Sequence, residues 1–222
     1  DYRTLEFLGE DNEFLYSLVS RWTDGKKTLN VNKYLAKDYS FVKSPEIKIL
    51  DPEGRDFPET EKPEVKCEAV KMFNGKFFLI SSYFDKSRKS NTCFVSEFDG
   101  NGKPTTKPVP LHTITTGTNK NKGSFQVSFS KDNQYMAVVS YLDAGNKDGA
   151  STVNLKVFKT GADLLFTKDV LLPYRYYSGA GVYVSPIGDV VINTKTESLT
   201  SEEKKSAKGA LTKYEMSTFR NL

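Results

Sequence analysis

One local pattern recurs four times along this chain: an apolar run, a short polar turn and a second apolar run. "VSFSKDNQYMAVVS" (Val127 to Ser140) aligns with "VYVSPIGDVVINTK" (Val182 to Lys195), placing Asn133 over Gly188. Earlier copies are "AVKMFNGKFFLISSYFD", with Gly75 at the turn, and "LEFLGEDNEFLYSLVSR", with Asn12 there. These turn positions are separated by 63, 58 and 55 residues, an interval that holds one supersecondary unit. Residues tolerant of positive φ between two strand-like runs read as β-hairpins, most clearly at Asn74-Gly75.

Downstream of each turn lies a third apolar run centred on an aromatic residue: Tyr34, Phe98, Phe158 and Tyr214, at 22, 23, 25 and 26 residues from the turn. After the first three come "SPEIKIL", "KPVPLHTI" and "FTKDVLLPY", suited to an outer strand because Pro45, Pro108 and Pro110 are tolerated at a sheet edge. An aromatic content of 13%, with 12 Tyr and 15 Phe, agrees with pleated, half-buried surfaces. Four-stranded antiparallel units in series must stack on one another to cover both faces. The expected fold class is therefore all-β, a β-propeller of about four antiparallel four-stranded blades and part of a larger propeller. The blades are expected at about 1–52, 63–116, 123–175 and 176–222, the last incomplete. A closed four-bladed ring is the second expectation. The long polar loops "DAGNKDGAST" and "TESLTSEEKKSAKGA" fall between second and third strands, where extra length costs little closure entropy.

The segment "FSKDNQYMAVVS" resembles the Phe-Ser-Pro-Asp-Gly-then-strand signature of WD-like and TolB-like β-propeller repeats, and "VSPIGDVVI" keeps its Ser-Pro while losing the Asp. The resemblance runs through about four units, essentially the whole chain. The Trp-Asp pair of true WD repeats is absent, since the sole Trp, Trp22, is followed by Thr23. It implies the repeat class and its fold; propellers host many unrelated activities.

The formal charge of +4 comes almost wholly from lysine. Arg3, Arg21, Arg55, Arg88, Arg175 and Arg220 are spread over the chain, which argues against nucleic acid as a partner. No run reaches the roughly 18 apolar residues of a membrane span, and no basic-then-apolar signal opens the chain. The first residue is Asp1 rather than Met, and no Asn-x-Ser/Thr acceptor occurs; an exported bacterial protein of the periplasm or cell envelope is expected over a cytoplasmic one. Cys67 and Cys93 are too few for a disulfide framework or a zinc site and are expected as buried free thiols.

Several segments suggest chemistry, and each has a plainer reading. "SFSKDNQY" partly resembles the sialidase Asp-box through Ser130 and Asp132 but lacks its Gly and Trp, so Asp132 is expected to bond within its own turn. "DGNGKP" (from Asp99) and "DAGNKDGAS" (from Asp143) have a calcium-loop composition, yet Lys147 falls at a ligand position of the second, so ordinary turns are expected and no metal site. His112, the only histidine, has no nucleophile motif beside it, and no cofactor is expected. Asp85, Glu97 and Asp143 are candidate funnel carboxylates. A helical turn is expected around 201–207. The strongest binding candidates are Tyr174, Arg175, Tyr176 and Tyr177, in "LLPYRYYSGAGVYVS", on a link between units where propeller binding loops cluster. The expected function is a non-catalytic module for protein-protein interaction or scaffolding in a multisubunit complex, within a bacterial cell-envelope assembly. The alternative is a carbohydrate-active hydrolase or lyase, or the propeller domain of a larger enzyme.

Overall fold

The computed structural model describes residues 3–57, 64–118, 122–142, 151–172, 177–196 and 213–220. These residues form sixteen strands and no helix. The first sheet contains β1 (Arg3–Glu10), β2 (Phe14–Thr23), β3 (Lys26–Leu35), β4 (Phe41–Lys43) and β5 (Glu46–Ile47), in the order β1-β2-β3-β4 with β5 also pairing β3. The second runs β6 (Val65–Phe73), β7 (Lys76–Asp85), β8 (Ser90–Phe98) and β9 (Val109–Thr115). The third runs β10 (Ser124–Phe129), β11 (Tyr135–Tyr141), β12 (Ser151–Lys159) and β13 (Asp163–Leu172). The fourth, β14 (Tyr177–Val184), β15 (Val190–Thr196) and β16 (Lys213–Phe219), has three strands among the described residues. The chain divides into two compact units, Asp1–Thr113 and Ile114–Leu222.

Turn chemistry explains the repeated motif. Asn74 (φ 49°) and Gly75 (φ 71°) are both left-handed between the paired residues Phe73 and Lys76, the geometry that matches strand twist in a two-residue hairpin. Asp24 (φ 51°) and Gly25 (φ 71°) do the same between β2 and β3. In the longer turns a side chain closes the loop instead. Ser130 Oγ accepts the Tyr135 N–H at 2.9 Å and donates to Asp132 at 2.6 Å; Ser185 Oγ accepts the Asp189 N–H at 3.0 Å. The serine shared by these two copies therefore does the same work in both, satisfying amides that the tight turn leaves unpaired. The helical turn expected around 201–207 lies outside the described residues.

Alternation along each strand decides what is buried. In the first unit, Leu18, Leu29 and Val31 of one sheet form a core with Val70, Met72, Phe77, Leu79 and Phe98 of the other. Tyr16 bridges the two sheets, meeting Phe77 edge-on at 5.6 Å between ring centroids. The second unit packs smaller, β-branched residues: Val139, Val153 and Val157 against Val182, Val190 and Ile192. The outer strand of the first sheet is broken in two, with Pro45 in the gap between β4 and β5 and its carbonyl accepting the Val31 N–H at 2.9 Å. Proline fits because this edge asks for acceptors and not for its missing donor.

That gap is filled from the second sheet. Gly102 (φ 77°) lies so close to the β4–β5 break that an added Cβ would stand 2.7 Å from the Glu46 carbonyl oxygen. Gly102→Ala is expected to destabilise the first unit by about 2 kcal/mol or more, through both the left-handed backbone and the clash. Gly25→Ala, where φ is also positive but nothing lies within 4 Å, is expected to cost only about 1 kcal/mol. Urea midpoints of the two variants measure the difference.

Candidate functional site

The carboxylates near the strand ends are mostly spent on the backbone. Asp11 accepts the N–H groups of Glu13 and Phe14 at 2.9 and 2.8 Å and the Tyr16 hydroxyl at 2.8 Å. Asp85 accepts from the Ser87 hydroxyl and amide at 2.6 and 2.8 Å and from the Arg88 amide at 3.0 Å. Asp99 takes the Lys103 and Asn101 amides at 2.9 and 2.8 Å, so "DGNGKP" forms a carboxylate-closed turn. Asp132 accepts from Ser130 and, at 3.2 Å, from the Gln134 amide, inside its own turn. Hydrogen bonds to the charged form hold Asp85, Asp99 and Asp132 below the ordinary aspartate range; for Asp11, desolvation opposes the same effect and is outweighed. A general acid needs the opposite shift.

The two described funnel candidates are not brought together. Glu97 pairs with Phe78 across the β7–β8 ladder, while Asp85 pairs with Ser90 at its other end. Seven residues of strand separate Phe78 from Asp85, and at about 3.3 Å per residue this is roughly 23 Å, against the about 5–9.5 Å that glycosidase carboxylate pairs span. Glu97 is held ionised by Lys76 at 2.8 Å and by the Thr105 hydroxyl at 2.6 Å. Asp143 and the calcium-like loop that begins with it lie outside the described residues.

A different carboxylate, invisible in the sequence pattern, is better enclosed. The register of β6 against β7 shifts between Cys67 and Ala69, leaving Glu68 as the extra residue of a β-bulge. Its side chain is only 8% exposed, ion-paired with Lys66 at 2.8 Å and accepting the Ser82 hydroxyl at 2.7 Å. Bulges re-aim one side chain, and this one turns an acid toward a serine on the neighbouring strand. Burial, and secondarily the Glu68 charge, push the thiol of buried Cys93 far up, so that sulfur is an inert thiol; Cys67 is half-buried and is in no disulfide. His112 is half-buried on β9. Among the described residues no group of three or more His, Cys, Asp or Glu could hold a metal ion.

Beside the outer edge of the first sheet two exposed aromatic residues follow one another closely in the chain. Phe41 is 60% exposed and Tyr39 is 71% exposed. Phe41 rests edge-on against Tyr34 at 5.8 Å between centroids. Tyr39 has φ 58°, a left-handed conformation rare for a bulky residue, fixed by its amide bond to the Leu35 carbonyl and by Asp38 holding the Ser40 amide and hydroxyl. Asn32 donates to the Tyr34 hydroxyl at 3.0 Å and accepts from Ser44 at 2.6 Å, bracing the ledge from behind. Opposite Asn32, the Ser17 hydroxyl is buried without a hydrogen-bond partner among the described residues. Of the residues singled out by sequence, Tyr174, Arg175 and Tyr176 lie outside the described residues, and Tyr177 opens β14.

No protein-family model matches the chain, and no curated protein sequence matches it. Among solved structures it is similar to an α-L-arabinofuranosidase from Fusarium graminearum, determined in complex with an iminosugar inhibitor, with a TM-score of 0.50 and 13% sequence identity over 96% of this chain. The chain spans 63% of the length of that enzyme. With the stacked four-stranded sheets, this likeness shows the fold: the chain is a β-propeller built of antiparallel blades.

The turn carboxylates set the acid response. Their folded-state pKa values lie below the unfolded value of about 3.9, so the stability they add is complete above that value and is lost as pH falls through the folded ones. Urea midpoints are expected to stay level from about pH 7 to pH 5 and to fall steeply below about pH 4. Asp99→Asn should lower the midpoint at pH 7 and flatten the fall.

Proposed function

We propose that the chain is a non-catalytic β-propeller module that binds another protein in a multisubunit assembly, with Tyr34, Tyr39 and Phe41 as the contact ledge. The observation that carries this reading is Tyr39, whose backbone is held in a left-handed conformation that presents an exposed aromatic ring. Fixing the backbone beneath the ring before binding lowers the entropy lost on association, and aromatic residues are enriched at interface hot spots. The aspartates engaged with turn amides agree with the reading, because ionised, fully bonded carboxylates stabilise loops and not transition states. The segment Tyr174 to Tyr177 is a second contact under the same proposal.

A second reading, a carbohydrate-active enzyme, draws on the likeness in fold to the arabinofuranosidase and on the enclosed Glu68. One set of variants separates the two. In cross-linking from the native source, Tyr39→Ser with Phe41→Ser is expected to lose, at least tenfold, a partner that wild type and Glu68→Gln both retain. Turnover of aryl arabinofuranosides by wild type, abolished in Glu68→Gln, would overturn the binding reading.

A further inference from the structure

The same face of β3 carries an unrelated feature at its other end. Cross-strand register places Arg3 directly opposite Arg21, and Arg21 opposite Thr28 on β3. Thr23 pairs with Lys26 one step beyond, on the same face. Two arginines far apart in the sequence thus occupy opposed positions on the ladder. Arg21 and Lys26 are exposed and have no carboxylate partner among the described residues. Lys26 and Thr28 also border a recess of about 230 Å³, lined besides by Lys27, Ile47, Lys48 and Ile49 and by the acids Glu46 and Asp56; Arg21 is not in its lining. Lys48 is bound to Asp56 at 2.6 Å, so those two charges offset one another and Glu46 is the remaining acid of the recess.

We propose that this end of the first blade binds a phosphate or sulfate group. Arg21 offers a planar fork of N–H donors to two oxygens of a tetrahedral anion, Lys26 a mobile point charge, and Thr28 a hydroxyl donor between them. The recess bordered by Lys26 and Thr28 leaves room for the beginning of whatever carries the group. Six residues of β3 separate Thr28 from Tyr34, roughly 20 Å along the strand, so the site is independent of the aromatic ledge. The remaining arginines are scattered, which confines the binding to one oxyanion and excludes a long polyanion track.

Isothermal titration of the full chain with inorganic phosphate, inorganic sulfate and methyl phosphate, against sodium chloride at matched ionic strength, tests the site. Saturable one-to-one binding is expected, weakened at least fivefold in Arg21→Gln and in Lys26→Gln and unchanged in Lys131→Gln, a lysine of the Asp132 turn. Both site residues are exposed on strands, so folded variants are expected, with circular dichroism as the check; Arg21→Lys should restore part of the affinity through charge. Methyl phosphate binding as tightly as the inorganic ions assigns the site to an esterified group, and much weaker binding assigns it to the free ion. No heat beyond that of chloride, or equal loss in Lys131→Gln, would falsify the assignment.

Discussion

Everything in this fold depends on sheets that are apolar on both faces. In β7, Phe77 and Leu79 point to one side and Phe78 and Ile80 to the other, and none is more than 4% exposed. A strand of this kind cannot end at a solvent boundary, so its sheet must be covered twice. Stacking of neighbouring blades is the answer in the first unit, where Phe77 closes against Tyr16 and the aliphatic residues of β2 and β3. Since side chains alternate with a period of two, a slip of one residue in any ladder would exchange the two faces. The short left-handed turns and the serine and aspartate caps are what hold the ladders in register.

The same alternation makes a surface out of the strand that makes the core. On β3, Leu29 and Val31 enter the core while Asn30, Asn32 and Tyr34 face away from it. Polar and aromatic groups are thereby lined up at intervals of about 7 Å on a rigid backing. Because the backing is shared, exposed side chains such as Phe41 and Arg21 can change without disturbing the packing beneath. Carboxylates follow a different logic: at the turns they meet backbone amides that would otherwise lack acceptors, and they are consumed there.

What was legible in the sequence was what local chemistry decides. Asn12, Gly75, Asn133 and Gly188 all fall in first hairpins, and Tyr34, Phe98, Phe158 and Tyr214 all fall on third strands, because turn residues and apolar runs act over a few residues. Prolines 45, 108 and 110 fall at or beside outer strands for the same reason. What escaped depends on register between separate strands. The enclosure of Glu68 follows from one extra residue in β6, the separation of Asp85 from Glu97 follows from their places on a ladder, and the meeting of Arg3 with Arg21 follows from pairing across a hairpin. The left-handed Tyr39 has no composition signal at all, since tyrosine is a poor candidate for that conformation.

Within each sheet, every described strand after the first is hydrogen-bonded to the strand before it, except β5, which returns to β3. Each hairpin can therefore zip from its own turn, without waiting for a distant segment to diffuse into place, and topologies with such local contacts fold faster than sheets joined by long crossovers. The connectivity also has an evolutionary side. Lengthening the link between a blade's second and third strands leaves both neighbouring hairpins intact, so insertions at 143–150 and 197–212 could accumulate in one copy of the repeat and not another. Divergence of the repeats in length would then proceed blade by blade, with the hydrophobic seam and the turns that set register kept in each copy.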